Sequence, residues 1–123
     1  MKELTFVIAD DAVFMRTVLK KMIEETEGFK VIGEAQNGIE SIKLAGKLKP
    51  DIITLDITMP ELDGLAAVEE ILNVSHDTKI IMVSAMGQQS MVIEAIKLGA
   101  SDFVVKPFEK SRIMQAIKNV CAL

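Results

Sequence analysis

The chain has one cysteine, one histidine, three prolines and neither tryptophan nor tyrosine in 123 residues. A lone Cys121 cannot close an internal disulfide, which fits a reducing cytoplasm. It reads as a small core residue near the end of a helix. No His or Cys pair has metal-ligand spacing, so zinc is not expected. A flavin has no tryptophan or tyrosine ring to stack on. No apolar run approaches the roughly 18 residues that a membrane span needs. Asp10 and Asp11 cut the first apolar stretch short, so the N-terminus does not read as a signal peptide. Positive charge is also in deficit: the formal net charge of −4 argues against nucleic acid, whose phosphates need a basic face.

What is present suits one α/β domain spanning residues 1–123. The composition is 50% hydrophobic, enough for a sizeable core, and 26% charged. Eight methionines make that core aliphatic and adaptable. Five short β-branched-rich segments recur: LTFVIA (4–9), KVIGEA (30–35), DIITLD (51–56), KIIMVSA (79–85) and DFVVK (102–106). Stretches with helical spacing lie between and after them. The first carries Val18, Met22 and Ile23, and the others cover about 38–48, 64–73, 88–98 and 110–121. Strand alternating with helix five times predicts βαβ units and a parallel sheet. The first, third, fourth and fifth strands are mostly apolar on both sides, as central parallel strands are. The second carries Lys30, Gly33 and Glu34 and reads as an edge. That placement favours the flavodoxin-like order 2-1-3-4-5.

In such a sheet ligands bind outside the carboxyl ends of the strands. Asp10 and Asp11 follow the first strand, Asp56 ends the third, Ser84 the fourth and Lys106 the fifth. Each has an ordinary explanation alone. Asp11 could cap the first helix, Asp56 could be an exposed strand end, Ser84 a turn hydroxyl and Lys106 a solvated amine. Jointly they place three carboxylates and one ammonium in one crevice, a sum of roughly −2 if all are ionised. Crowded carboxylates raise one another's pKa or take a cation. All-oxygen ligation suits Mg²⁺.

The motifs DD (10–11), DITMPELDG (56–64), SA (84–85) and KPF (106–108), in this order, resemble the receiver domain of bacterial two-component response regulators. The stretch SAMGQQSMVIEAIKLGASDFVVKPF (84–108) is similar to one branch of the chemotaxis receivers of the CheY type. The resemblance covers the whole chain and implies roles. Asp56 would accept a phosphoryl group from a phosphohistidine on a partner kinase. Asp11 and Asp56 would ligate Mg²⁺ through their side chains, Asp10 chiefly through a metal-bound water, and Thr58 through its backbone carbonyl. Lys106 and Ser84 would contact the phosphoryl oxygens. Phe103 would be the aromatic that reorients with Ser84, and Lys106–Pro107 would be a cis peptide, which proline makes cheap. Many chemotaxis receivers have tyrosine at the switch aromatic, so any output contact through its hydroxyl is lost at Phe103. Thr58 and Met86 occupy the positions two after Asp56 and two after Ser84, which tune dephosphorylation in this family.

The chain ends just after the fifth helix with no linker or DNA-binding segment, so output is expected through another protein. The resemblance implies a monomer that binds the flagellar motor switch protein through the fourth helix, fifth strand and fifth helix, with possible help from a phosphatase. It would be no enzyme beyond its own phosphorylation and dephosphorylation, with no nucleic-acid or membrane partner. A phosphorelay intermediate is the alternative. An aspartyl-phosphate hydrolase is more remote, because Thr58 stands where such enzymes place a second acid. The fourth helix carries Met91, Val92, Ile93, Ala95, Ile96 and Leu98, which fits either a wide buried face or a docking surface. GQQS (87–90) reads as a flexible helix start, and His76 as a loop residue rather than a phosphate carrier.

Overall fold

The computed structural model describes residues 3–121, so the outermost two residues at each end of the expected 1–123 domain lie outside it. The order of elements is β1 (Leu4–Ala9), α1 (Val13–Glu24), β2 (Phe29–Ala35), α2 (Gly38–Leu48), β3 (Ile52–Leu55), α3 (Gly64–Val74), β4 (Lys79–Ser84), α4 (Gln89–Leu98), β5 (Asp102–Val105) and α5 (Lys110–Cys121). All strands pair in parallel, in the order β2-β1-β3-β4-β5. The expected order is therefore observed. No helix among the described residues is long and apolar enough to cross a membrane.

The period-two alternation of strand side chains divides the core into two layers. Ile53 and Leu55 of β3 face α2, α3 and α4, packing with Val7, Ala67, Val68, Ile71 and Met82. Ile52 faces the other way, toward Leu19 and Ile23 of α1 and Ile113 and Ile117 of α5. All four residues of β3 are buried, so this short central strand is held by packing on both faces. Fully burying a side chain such as Ile or Leu contributes about 1.5–3 kcal/mol.

β5 is apolar on both sides as read from the sequence, with Phe103 in one layer and Val104 in the other. It forms the second edge of the sheet, and Val105 is 45% exposed. With a neighbour on one side only, its last residue is left partly uncovered.

The sheet positions the polar residues by carrying backbone pairing one step past each strand. Ala9 pairs with Leu55, and the next residue is fixed by Asp56 N–H donating to the Ala9 carbonyl at 3.0 Å. Asp10 N–H likewise donates to the Ala35 carbonyl at 3.0 Å, and Lys106 N–H to the Ser84 carbonyl at 2.9 Å.

The chain returning from β3 passes close over this edge. Gly64 N–H donates to the Ile57 carbonyl at 2.8 Å, and a Cβ on Gly64 would overlap the Asp56 carbonyl oxygen. Backbone cannot yield there as a flexible side chain can. Gly64→Ala is expected to destabilise the protein by roughly 3 kcal/mol, the upper end of overpacking costs. Urea unfolding measures it. An unchanged midpoint would show that the Asp56 turn relaxes freely.

Candidate functional site

Asp10, Asp11 and Asp56 converge although separated in sequence: one carboxylate oxygen from each lies within 4.8 Å of the others. Asp10 and Asp56 are buried, at 2% and 7% exposure, while Asp11 is exposed. Lys106 reaches in from the end of β5. Its Nζ donates to Asp10 Oδ2 at 2.7 Å and to Asp56 Oδ2 at 3.2 Å. Two buried carboxylates thus share one ammonium.

The electrostatics follow from that count. Burial pushes the Asp56 carboxyl above its ordinary pKa; Lys106 opposes the rise and the Asp10 charge adds to it. Desolvation is the larger cause and crowding by a second carboxylate a smaller one, whereas the sequence pointed to crowding alone. For Lys106, burial works against the charged form. The hydrogen bond to Asp10 and the charges of Asp56 and Asp10 outweigh it, so the ammonium is held above its ordinary range.

The capping role open to Asp11 is corrected by the structure. The N-cap of α1 is Ala12, with no side-chain cap. Asp10 Oδ1 instead accepts the Ala12 N–H at 2.9 Å. A short carboxylate bonds the amide two residues on, a turn Asp forms readily. This holds Asp10 inward, and the Asp11 side chain makes no hydrogen bond or ion pair among the described residues.

Arg16 was not singled out in the sequence. It is buried in α1, where Nη1 donates to the Asp10 carbonyl at 2.6 Å and Nε to Glu34 Oε1 at 3.0 Å. It ties the turn that carries the two aspartates to β2. The available signal was spacing: Arg16 falls on the stripe of Leu19 and Ile23, so a charge there faces inward and needs partners.

Ser84 is buried at the end of β4, and its Oγ accepts the Met86 N–H at 3.1 Å. Phe103 pairs with Met82 across β4 and β5 and is buried in the α3/α4 layer. Thr58 is exposed, and its hydroxyl contacts Met86 Sδ at 3.3 Å. The Lys106–Pro107 bond is cis. His76 lies in solvent, its Nε2 3.5 Å from Asp77 Oδ1. The apolar residues of α4 divide: Ala95 is buried, whereas Ile93 and Ile96 are 46% and 45% exposed. Its apolar surface is therefore not one wide buried face.

The doubly wound sheet thus carries paired acids after β1, an acid after β3, a hydroxyl at the end of β4 and an amine after β5 along one edge. The response regulator receiver domain family matches residues 6–118, and the chain belongs to that family. Within it, the chain is 55% identical over 113 residues to the chemotaxis protein CheY of Thermotoga maritima, covering 92% of this chain and 93% of that one. It is 51% identical over 115 residues to CheY of Listeria monocytogenes, covering 94% and 96%. A solved CheX–CheY–BeF3–Mg²⁺ complex from Borrelia burgdorferi superimposes with a TM-score of 0.90 at 34% identity, over 98% of this chain and 90% of that one.

Proposed function

We propose that this protein is a CheY-like switch, a single receiver unit across residues 1–123, that takes a phosphoryl group on Asp56 from a phosphohistidine kinase. The observation that carries this reading is the sharing of Lys106 between the buried Asp10 and Asp56, with Asp11 at the mouth. The donor set is oxygen only and carries more negative charge than Lys106 balances, which fits a hard dication. The side chains of Asp10, Asp11 and Asp56, and the backbone carbonyl of Thr58, would hold Mg²⁺. When bound, Mg²⁺ supplies positive charge against the phosphoryl oxygens.

The chain's own residues do the rest. An Asp56 carboxylate oxygen attacks phosphorus, the P–N bond to the kinase imidazole breaks, and the imidazole leaves with a proton. The ladder bond from Asp56 N–H to Ala9 keeps that carboxylate at a fixed strand end. Lys106 follows the transferring oxygens with its ammonium. The product adds close to two negative charges and new acceptor oxygens. The Ser84 hydroxyl then turns from the Met86 N–H to the phosphoryl group, drawing the loop 85–88 with it. Phe103 is already inside the core, so it closes the space that Ser84 leaves.

This change biases the face formed by α4, β5 and α5. Ile93, Ile96 and Val105 are its exposed apolar residues and suit a protein partner. Similarity to chemotaxis proteins favours the flagellar motor switch as that partner. The Borrelia CheY is held by CheX, so a CheX-like protein is a second candidate.

The test is incubation with acetyl phosphate, followed by intact mass. One phosphoryl group per chain is expected with Mg²⁺, and little when the metal is chelated. Steady release of phosphate from added esters, with no labelled protein, would instead indicate a hydrolase.

A further inference from the structure

Met86 is the one exposed methionine among the described residues; Met15, Met22, Met91 and Met114 are partly covered, and Met59 and Met82 are buried. It sits two residues after Ser84, on the loop between β4 and α4. Its backbone N–H holds Ser84 Oγ at 3.1 Å, and its Sδ takes the Thr58 hydroxyl at 3.3 Å. Thr58 is itself two residues after Asp56. The thioether therefore bridges the loop that follows Asp56 to the loop that follows Ser84, while remaining open to solvent.

We propose that Met86 is an oxidation site through which peroxides regulate entry to the acidic crevice. The sulfur lone pair attacks one peroxide oxygen, an S–O bond forms and the O–O bond breaks. The second oxygen leaves as water after taking up the protons. The sulfoxide oxygen is a far stronger acceptor than the thioether and carries partial negative charge. It grips the Thr58 hydroxyl more firmly and opposes an approaching anion. Phosphorylation by acetyl phosphate is thereby slowed. A reductant of the methionine sulfoxide reductase class restores the thioether.

The effect on rate rests on the Asp56 reading above, whereas the site of oxidation does not. The protein is treated with limiting hydrogen peroxide and digested for mass mapping. Its phosphorylation rate is measured alongside that of Met86→Leu. One oxygen atom is expected at Met86 before the partly covered methionines, with a several-fold slower phosphorylation that the reductase reverses. Met86→Leu keeps its rate under peroxide. Earlier oxidation of Met15, Met22, Met91 or Met114 would overturn the proposal, as would a Met86 sulfoxide that phosphorylates at the untreated rate. Untreated protein that takes no phosphoryl group would contradict the Asp56 reading instead, with the mapping still deciding where oxygen adds.

Discussion

Asp56→Asn is expected to take up no phosphoryl group from acetyl phosphate under conditions that fully label the wild-type protein. The amide has no carboxylate to form the acyl phosphate, and the other buried acid beside Lys106 among the described residues is Asp10, whose Oδ1 is engaged by Ala12. Intact mass measures the result, and full labelling of the variant would remove Asp56 from its role. The same substitution should raise thermal stability in metal-free buffer. Because burial raises the Asp56 pKa above 3.8, the folded state binds the proton more tightly than the unfolded chain does. Asp56 thus supports stability only below its unfolded pKa, and that support is lost as pH rises through the folded value. The advantage of Asn is absent in acid, grows across that window and persists at neutral pH, where it is on the order of 1 kcal/mol. Melting curves at acid and neutral pH check the sign.

Lys106→Ala should have the opposite effect on the metal-free protein. It strands Asp10 and Asp56 with no ammonium, and removing one member of a buried ion pair costs about 3–5 kcal/mol. The Lys106 side chain is 16% exposed, so water softens the loss, and a cost of about 2 kcal/mol is expected. The pH dependence has a definite direction. Its partners raise the Lys106 pKa above 10.5, so its contribution is complete below that value and is lost only as pH climbs through the folded pKa. The gap between wild type and variant therefore spans the neutral range. Mg²⁺ should narrow it, because the ammonium and a dication compete for the same oxygens. Phosphorylation of the variant should fall roughly a hundredfold, the scale on which one charge-stabilising donor acts. A variant as stable as wild type without metal would mean that the two carboxylates need no counter-charge.

The topology and the convergence of Asp10, Asp11, Asp56 and Lys106 were legible in the sequence for the same reason. β-branched runs such as IIT and KIIMV sit between helical spacings, and a parallel sheet must bring the polar residues that end its strands to one edge. What stayed hidden depends on single side-chain conformations. Asp10 and Asp11 are equivalent as text, but a turn to Ala12 sends one inward and leaves the other in solvent. Arg16 reads as a helical surface charge until its place on the Leu19–Ile23 stripe is noticed. The count of apolar residues on α4 could not say that Ile93 and Ile96 stay outside. Nor does any spacing rule connect Thr58 to Met86, since their contact exists only where two loops meet.

The most direct measurement is a crystal structure of the protein grown with Mg²⁺ and beryllofluoride, a phosphoryl mimic. Expected is an octahedral ion in contact with the carboxylates of Asp11 and Asp56 and the Thr58 carbonyl, reached from Asp10 through water, with the mimic on Asp56 and Lys106 against its fluorines. An ion bound elsewhere, or an Asp56 carboxylate left bare while the mimic occupies another residue, would contradict that arrangement.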